Sequence, residues 1–129
     1  MASLKPYVDA GKFKAIEADG ELVPGVSSVA TFGHTKGHRN YVVESKGQKL
    51  VLWGDLMHVA AVQFATPAVT IAFDTDSKAA LAQRRKAFAA AAKGGYWIGA
   101  SHLSFPGLGH LAPQGSGYQF QPANYTALN

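Results

Sequence analysis

Apolar and polar residues follow a two-residue rhythm in several short runs of this chain, and one long stretch breaks from it. Residues 12–17 alternate, with Phe13 and Ala15 on one side, and predict a strand. Residues 26–32 predict another, of weaker alternation. Residues 40–45 and 48–53 are β-rich runs joined by Lys46-Gly47, a hairpin signal. Leu50-Val51-Leu52-Trp53 is continuously apolar, which predicts a central strand buried on both faces, and residues 96–100 read the same way. Residues 3–10 form a short helix or the tail of one, ending at Gly11. Residues 56–64 form a short helix or an irregular segment before Pro67, and residues 69–73 another short extended piece. Asp76 has the character of an N-cap, and residues 77–93 are the clearest helix. That helix is alanine-rich, carries Leu81 and Phe88 on one face, and stops at Gly94-Gly95. Residues 101–117 read as a Gly- and Pro-rich loop, and residues 118–121 as an edge strand. The order predicts an α+β fold, one sheet with a single helical layer.

The bulk numbers narrow the class. A chain of 129 residues, 47% hydrophobic and 16% charged, is a single globular domain rather than a disordered one. The absence of cysteine excludes disulfides, thiolate zinc sites and cysteine nucleophiles. The net charge of +4 is scattered. Its one cluster, Arg84-Arg85-Lys86, falls inside the helix and reads as a solvated face, so nucleic acid is not an expected partner. No apolar h-region opens the chain and no apolar run is long enough for a membrane span. Neither a signal peptide nor a membrane partner is expected, which puts the chain as it stands in the cytoplasm.

Candidate chemistry sits where apolar strands run out. His34 follows the strand at 26–32, Asp55 follows 50–53, and His102 follows 96–100. If those strands are neighbours pointing the same way, the three side chains converge, and ligands bind at such strand ends in layered folds. Imidazole and carboxylate are the usual donors for zinc, and also suit manganese, cobalt or iron. Each residue alone has a plainer reading, as a hydrogen-bonding loop histidine or a turn aspartate.

Gly33-His34-Thr35-Lys36-Gly37-His38 resembles the His-Thr-Pro-Gly-His segment of the metallo-β-lactamase superfamily, and Gly54-Asp55 resembles its Gly-Asp segment. Residues 41–45, 59–64, 76–78, 93–96 and 100–107, with Asn124-Tyr125, resemble one branch more closely, the methyl parathion hydrolases and dihydrocoumarin-type lactonases. The resemblance implies an αββα sandwich, of which this chain is the C-terminal half. It implies that His34 binds one metal, Asp55 bridges two, and His102 binds the second, with zinc the first choice of metal. It implies hydrolysis of an ester, lactone or phosphotriester through a metal-bound hydroxide at Asp55. His38 is then a supporting member of the catalytic set, orienting the His34 loop, while His58 and Phe64 line the substrate pocket. His110 reads as structural.

Two departures qualify the resemblance. Lys36 stands where the family has proline, which loosens the loop and brings a cation near the metals. The family's first ligand run, His-x-His-x-Asp-His, has no counterpart, since His34 is the first histidine of the chain. A half sandwich leaves the inner face of its sheet uncovered. Two copies packed sheet to sheet about a twofold complete both sandwich and site, so a homodimer is expected. The alternative is an inactive, self-associating half-domain that binds one metal weakly or none.

Overall fold

The computed structural model describes residues 2–124; Tyr125, part of the family resemblance, lies outside the described residues. Seven strands form one sheet in chain order: β1 (Gly20–Val23), β2 (Val26–Ala30), β3 (Arg39–Ser45), β4 (Gln48–Leu52), β5 (Trp97–Gly99), β6 (Leu108–Gln114) and β7 (Gly117–Pro122). All neighbours are antiparallel except β4 and β5, which run parallel. That pair needs a crossover, which is supplied by the short helix α2 (Ala60–Gln63) and the long helix α3 (Ser77–Gly94). A five-residue helix α1 (Lys5–Asp9) stands before the sheet with no buried residue.

Local chemistry explains the best-defined elements. Lys46 and Gly47 both adopt positive φ, 49° and 75°, as a tight two-residue turn between twisted strands requires. Asp76 accepts a hydrogen bond from Ala79 N at 2.9 Å, and Gly95 ends α3 in the left-handed conformation. The buried residues of α3 are Ala80, Arg84, Phe88 and Ala91, a stripe three or four residues apart. Phe88 meets Trp53, Phe64 and Tyr118, and this aromatic group with Val51, Ile98 and Leu111 makes the core.

Four expectations change. Residues 12–17 are irregular and, apart from half-buried Ile16, exposed, because no neighbouring strand accepts their backbone groups. The first strand is instead residues 20–23, turned back by Pro24 and Gly25 onto β2. The segment read as a loop at 101–117 contains all of β6, which β7 pairs from Gly109 to Gln114. Residues 69–73 form no strand.

The central strands are also covered on one face only. Val51 and Trp53 point under α3 at 6% and 0% exposure, whereas Leu52 between them is 38% exposed. Register places Tyr41 opposite Leu52, Leu52 beside Gly99 and Gly99 opposite Leu108. A side chain on Gly99 would collide with Leu52 and Leu108, which fixes these residues on one face. Tyr41, Leu52 and Leu108 thus form an exposed apolar row across the uncovered face.

Candidate metal centre

Three loops at one edge of the sheet carry the chemistry. The His34 loop leaves β2 and is pinned to the start of α3. Asp76 N and Thr75 Oγ1 donate to Gly33 O, and Thr75 N donates to His34 O, all within 3.0 Å. Gly33 (φ 147°) passes so close to the backbone of Ala80 that any side chain would clash. Lys36, at the tip, is exposed. In the second loop Gly54 takes φ 55°, then Leu56 and Met57 plug into the core at 3% and 0% exposure, leaving Asp55 and His58 to flank them at the surface. The third loop follows β5 and carries Ser101 and His102; Ser101 N donates to Gly54 O at 3.1 Å, tying it to the Asp55 loop.

The three loops converge as the sequence predicts. Asp55 Oδ2 lies 3.4 Å from His34 Nε2, and Asp55 Oδ1 lies 3.3 Å from His102 Nε2. The His58 ring stands between the two imidazoles, 4.7 Å from His34 and 4.5 Å from His102 between centroids. Partial burial pushes the Asp55 carboxyl upward. The Ser101 hydrogen bond and the nearby His102, His34 and His58 outweigh that and hold it below the ordinary carboxylate value. Burial, reinforced by His102 and His34, lowers His58.

His38 ties the start of the His34 loop, at Thr31, to the Asp55 loop. Asp55 N donates to His38 Nε2 at 3.1 Å, so that nitrogen carries no proton. Nδ1 is therefore the protonated nitrogen and donates to Thr31 Oγ1 at 2.8 Å, and the hydroxyl donates on to Asn40 Oδ1 at 3.2 Å. Burial holds His38 below its ordinary pKa, which agrees with a neutral ring. Phe64 lies in the core at 5% exposure, stacked against Phe120 and Phe88. His110 packs on Trp97 with Nδ1 3.2 Å from Tyr96 O, in the structural place expected of it.

Two further residues emerge from the structure. Asp74, its side chain wholly buried, sets Oδ1 3.1 Å from His34 Nδ1. Arg84 is wholly buried too, which overturns its reading as part of a solvated face. Its Nη2 faces Asp74 Oδ2 at 3.6 Å, and its other nitrogens donate to Leu56 O, Pro67 O and Val69 O. Nothing in the local sequence pattern marks Asp74. Arg84, by contrast, falls four residues before Phe88, on the face that helical spacing buries.

The donor set suits a divalent transition metal. Donors about 2.0–2.1 Å from a tetrahedral zinc stand about 3.3 Å apart, close to both carboxylate–imidazole distances. One ligand atom each from Asp55, His58 and His102 lies within 4.8 Å of the others, as is also true of His34, His58 and Asp74. In the second group Asp74 is the weaker donor, since its carboxylate already serves His34 and Arg84.

Neither a family model nor a curated protein matches the sequence. Solved structures do. The chain matches the hydrolase AbOPH of the β-lactamase superfamily at 38% identity and TM-score 0.90, over 96% of this chain and 43% of that one. It matches AidC, a dizinc quorum-quenching lactonase, at 26% identity and TM-score 0.86, over 98% and 44%. An N-acyl homoserine lactone hydrolase with product at its catalytic metal centre matches at 26% identity and TM-score 0.58, over 75% and 41%. The mixed sheet and its helices are thus one half of a metallo-β-lactamase fold, and the chain spans less than half the length of each of these hydrolases. Among the described residues no helix is long and apolar enough to cross a membrane.

Proposed function

We propose that the chain is a metal-dependent hydrolase of esters, lactones or phosphotriesters, with His34, Asp55 and His102 as metal ligands. The observation that carries this reading is the Asp55 carboxylate, whose two oxygens each face a different histidine Nε2 at 3.4 and 3.3 Å. That is the arrangement a bridging carboxylate needs. Zinc is the first candidate, since a dizinc lactonase is among the similar structures. A metal held there supplies Lewis-acid polarisation of the scissile group and acidifies a water molecule. The chain's own groups keep the donors aimed: Asp74 accepts a hydrogen bond from Nδ1–H of His34, leaving Nε2 free. His38 fixes the backbone of Asp55, and Ser101 bonds its carboxylate. His58, between the two ligand histidines, borders the space a substrate enters.

The working unit in this proposal is a homodimer. The row Tyr41, Leu52 and Leu108 lies on the face that a second sheet would cover, and a second copy supplies such a sheet together with further histidine and aspartate donors. Lactones come first among substrates, and an N-acyl homoserine lactone is the compound to assay. Activity removed by chelator, restored by Zn²⁺, Mn²⁺ or Co²⁺, and lost in both Asp55→Ala and His102→Ala is the expected result. Hydrolysis that survives both substitutions would overturn the reading.

A further inference from the structure

His58 is the residue of the cluster whose side chain has no settled task. His34 has Asp74 on one nitrogen and Asp55 beside the other. His38 has both nitrogens bonded. His58 Nδ1 is buried with no hydrogen-bond partner at all. Such an orphan is costly, and groups of this kind persist where something else satisfies them.

The backbone around His58 is nonetheless fixed with care. Gln63, wholly buried, accepts from His58 N at 2.7 Å and Val59 N at 3.1 Å, while its Nε2 donates to Val69 O at 2.9 Å. One amide side chain thus clamps the turn that presents His58. The ring is tilted, not stacked, against its neighbours, by 46° to His34 and 31° to His102. A ring nitrogen of His58 lies within 4.8 Å of a ligand atom from Asp55 and from His102.

We infer that His58 is itself a metal ligand, completing with Asp55 and His102 a three-donor site for one divalent transition metal inside a single chain. Three protein donors and an open position are the composition of a hydrolytic zinc site. The site is built from two loops of one protomer and needs no residue from a second. Its assignment rests on the metal-dependent reading above, but adds a ligand that reading does not require. It also assigns His58 to the metal rather than to the substrate.

The test uses the whole chain, stripped of metal, titrated with Zn²⁺ and followed by calorimetry and by ¹⁵N NMR of the imidazole nitrogens. Zn²⁺ is expected to move the His58 ring resonances together with those of His102. His58→Asn is expected to weaken Zn²⁺ binding by at least about tenfold, as His102→Asn does, while His110→Gln leaves it unchanged. Wild-type affinity in His58→Asn, or unmoved His58 resonances beside shifted His102 resonances, would overturn this inference and leave the metal-dependent reading intact. A wild-type chain that takes up none of Zn²⁺, Co²⁺ or Mn²⁺ would overturn both. Should His58→Asn not fold, the wild-type NMR titration decides alone.

Discussion

The carboxylate of Asp74 meets His34 Nδ1 at 3.1 Å in a fully buried position, on the side of the ring away from Asp55. A carboxylate there accepts a hydrogen bond from Nδ1–H and keeps Nε2 aimed at Asp55. Asp74→Asn retains the size of the side chain but removes its charge. Zinc affinity should fall about 10–100-fold, the usual effect of removing such support, as read by competition with a chromophoric chelator. Unchanged affinity would mean that Asp74 serves folding alone.

Arg84 is the counterpart of Asp74 and also ties together three backbone carbonyls, of Leu56, Pro67 and Val69. Burial lowers its pKa, with Asp74 pulling the other way, but a guanidinium stays charged throughout. Arg84→Met leaves Asp74 buried without its cation, and breaking a buried pair from one side costs about 3–5 kcal/mol. Urea unfolding should show that loss. The double variant Asp74→Asn/Arg84→Met should lose less than the sum of the two, because the uncompensated charge is gone.

His38 joins Asp55 to the sheet through a chain of directed bonds: Asp55 N–H to Nε2, Nδ1–H to Thr31, and Thr31 to Asn40. His38→Ala strands a backbone donor and a buried hydroxyl. The expected cost is about 1–3 kcal/mol, together with weaker metal binding as the Asp55 loop loosens. A variant as stable as the parent in thermal melts would show that water replaces the ring.

Acid should weaken the metal-free protein for the same reason. His38 and His58 both lie below the ordinary value of 6.5, chiefly through burial. Above about pH 7.5 these histidines are neutral in folded and unfolded chains alike and contribute no pH dependence. As the pH falls through 6.5 the unfolded chain takes up their protons first, so stability declines. Asp55, held below its ordinary value, contributes stability that is present above 3.8 and lost at still lower pH. Urea midpoints of the metal-free chain should therefore drop between pH 7.5 and pH 5.5. A shallower profile in His38→Ala would assign part of the slope to that ring.

What the sequence reveals of this site depends on how local the signal is. His34, Asp55 and His102 are legible because each follows an apolar run directly, and strand ends that share an edge must bring them together. The hairpin at Lys46-Gly47 and the helix from Asp76 to Gly95 are legible because turn and cap chemistry is written in adjacent residues. Strand β6 is not, because Gly109 and Pro113 look like loop residues. Gly109 is there since the backbone of Gln121 leaves no room for a side chain, and Pro113 lies near the hairpin end. Asp74 escapes notice because its role exists only once α3 carries Arg84 to it across ten positions. Residues 12–17 show the reverse error: alternation is a property of one segment, whereas a strand needs a partner.

The uncovered sheet face yields the prediction on which assembly turns. Tyr41, Leu52 and Leu108 are each more than a third exposed in one row. Apolar rows on a sheet face are the material of sheet-on-sheet packing, and a twofold pairs the row with itself. Leu52→Lys places a charge at the centre of that row without touching the core, since Leu52 points away from Val51 and Trp53. Sedimentation should show a dimer for the parent chain and a folded monomer for Leu52→Lys, with the circular dichroism spectrum unchanged. Zinc binding by Asp55, His58 and His102 should persist in that monomer, because all three donors come from one protomer. Lactone hydrolysis, if the dimer is the working unit, should be lost with dimerisation. A parent chain that sediments as a monomer at all concentrations would end the dimer proposal while leaving the metal site to be judged on its own binding data.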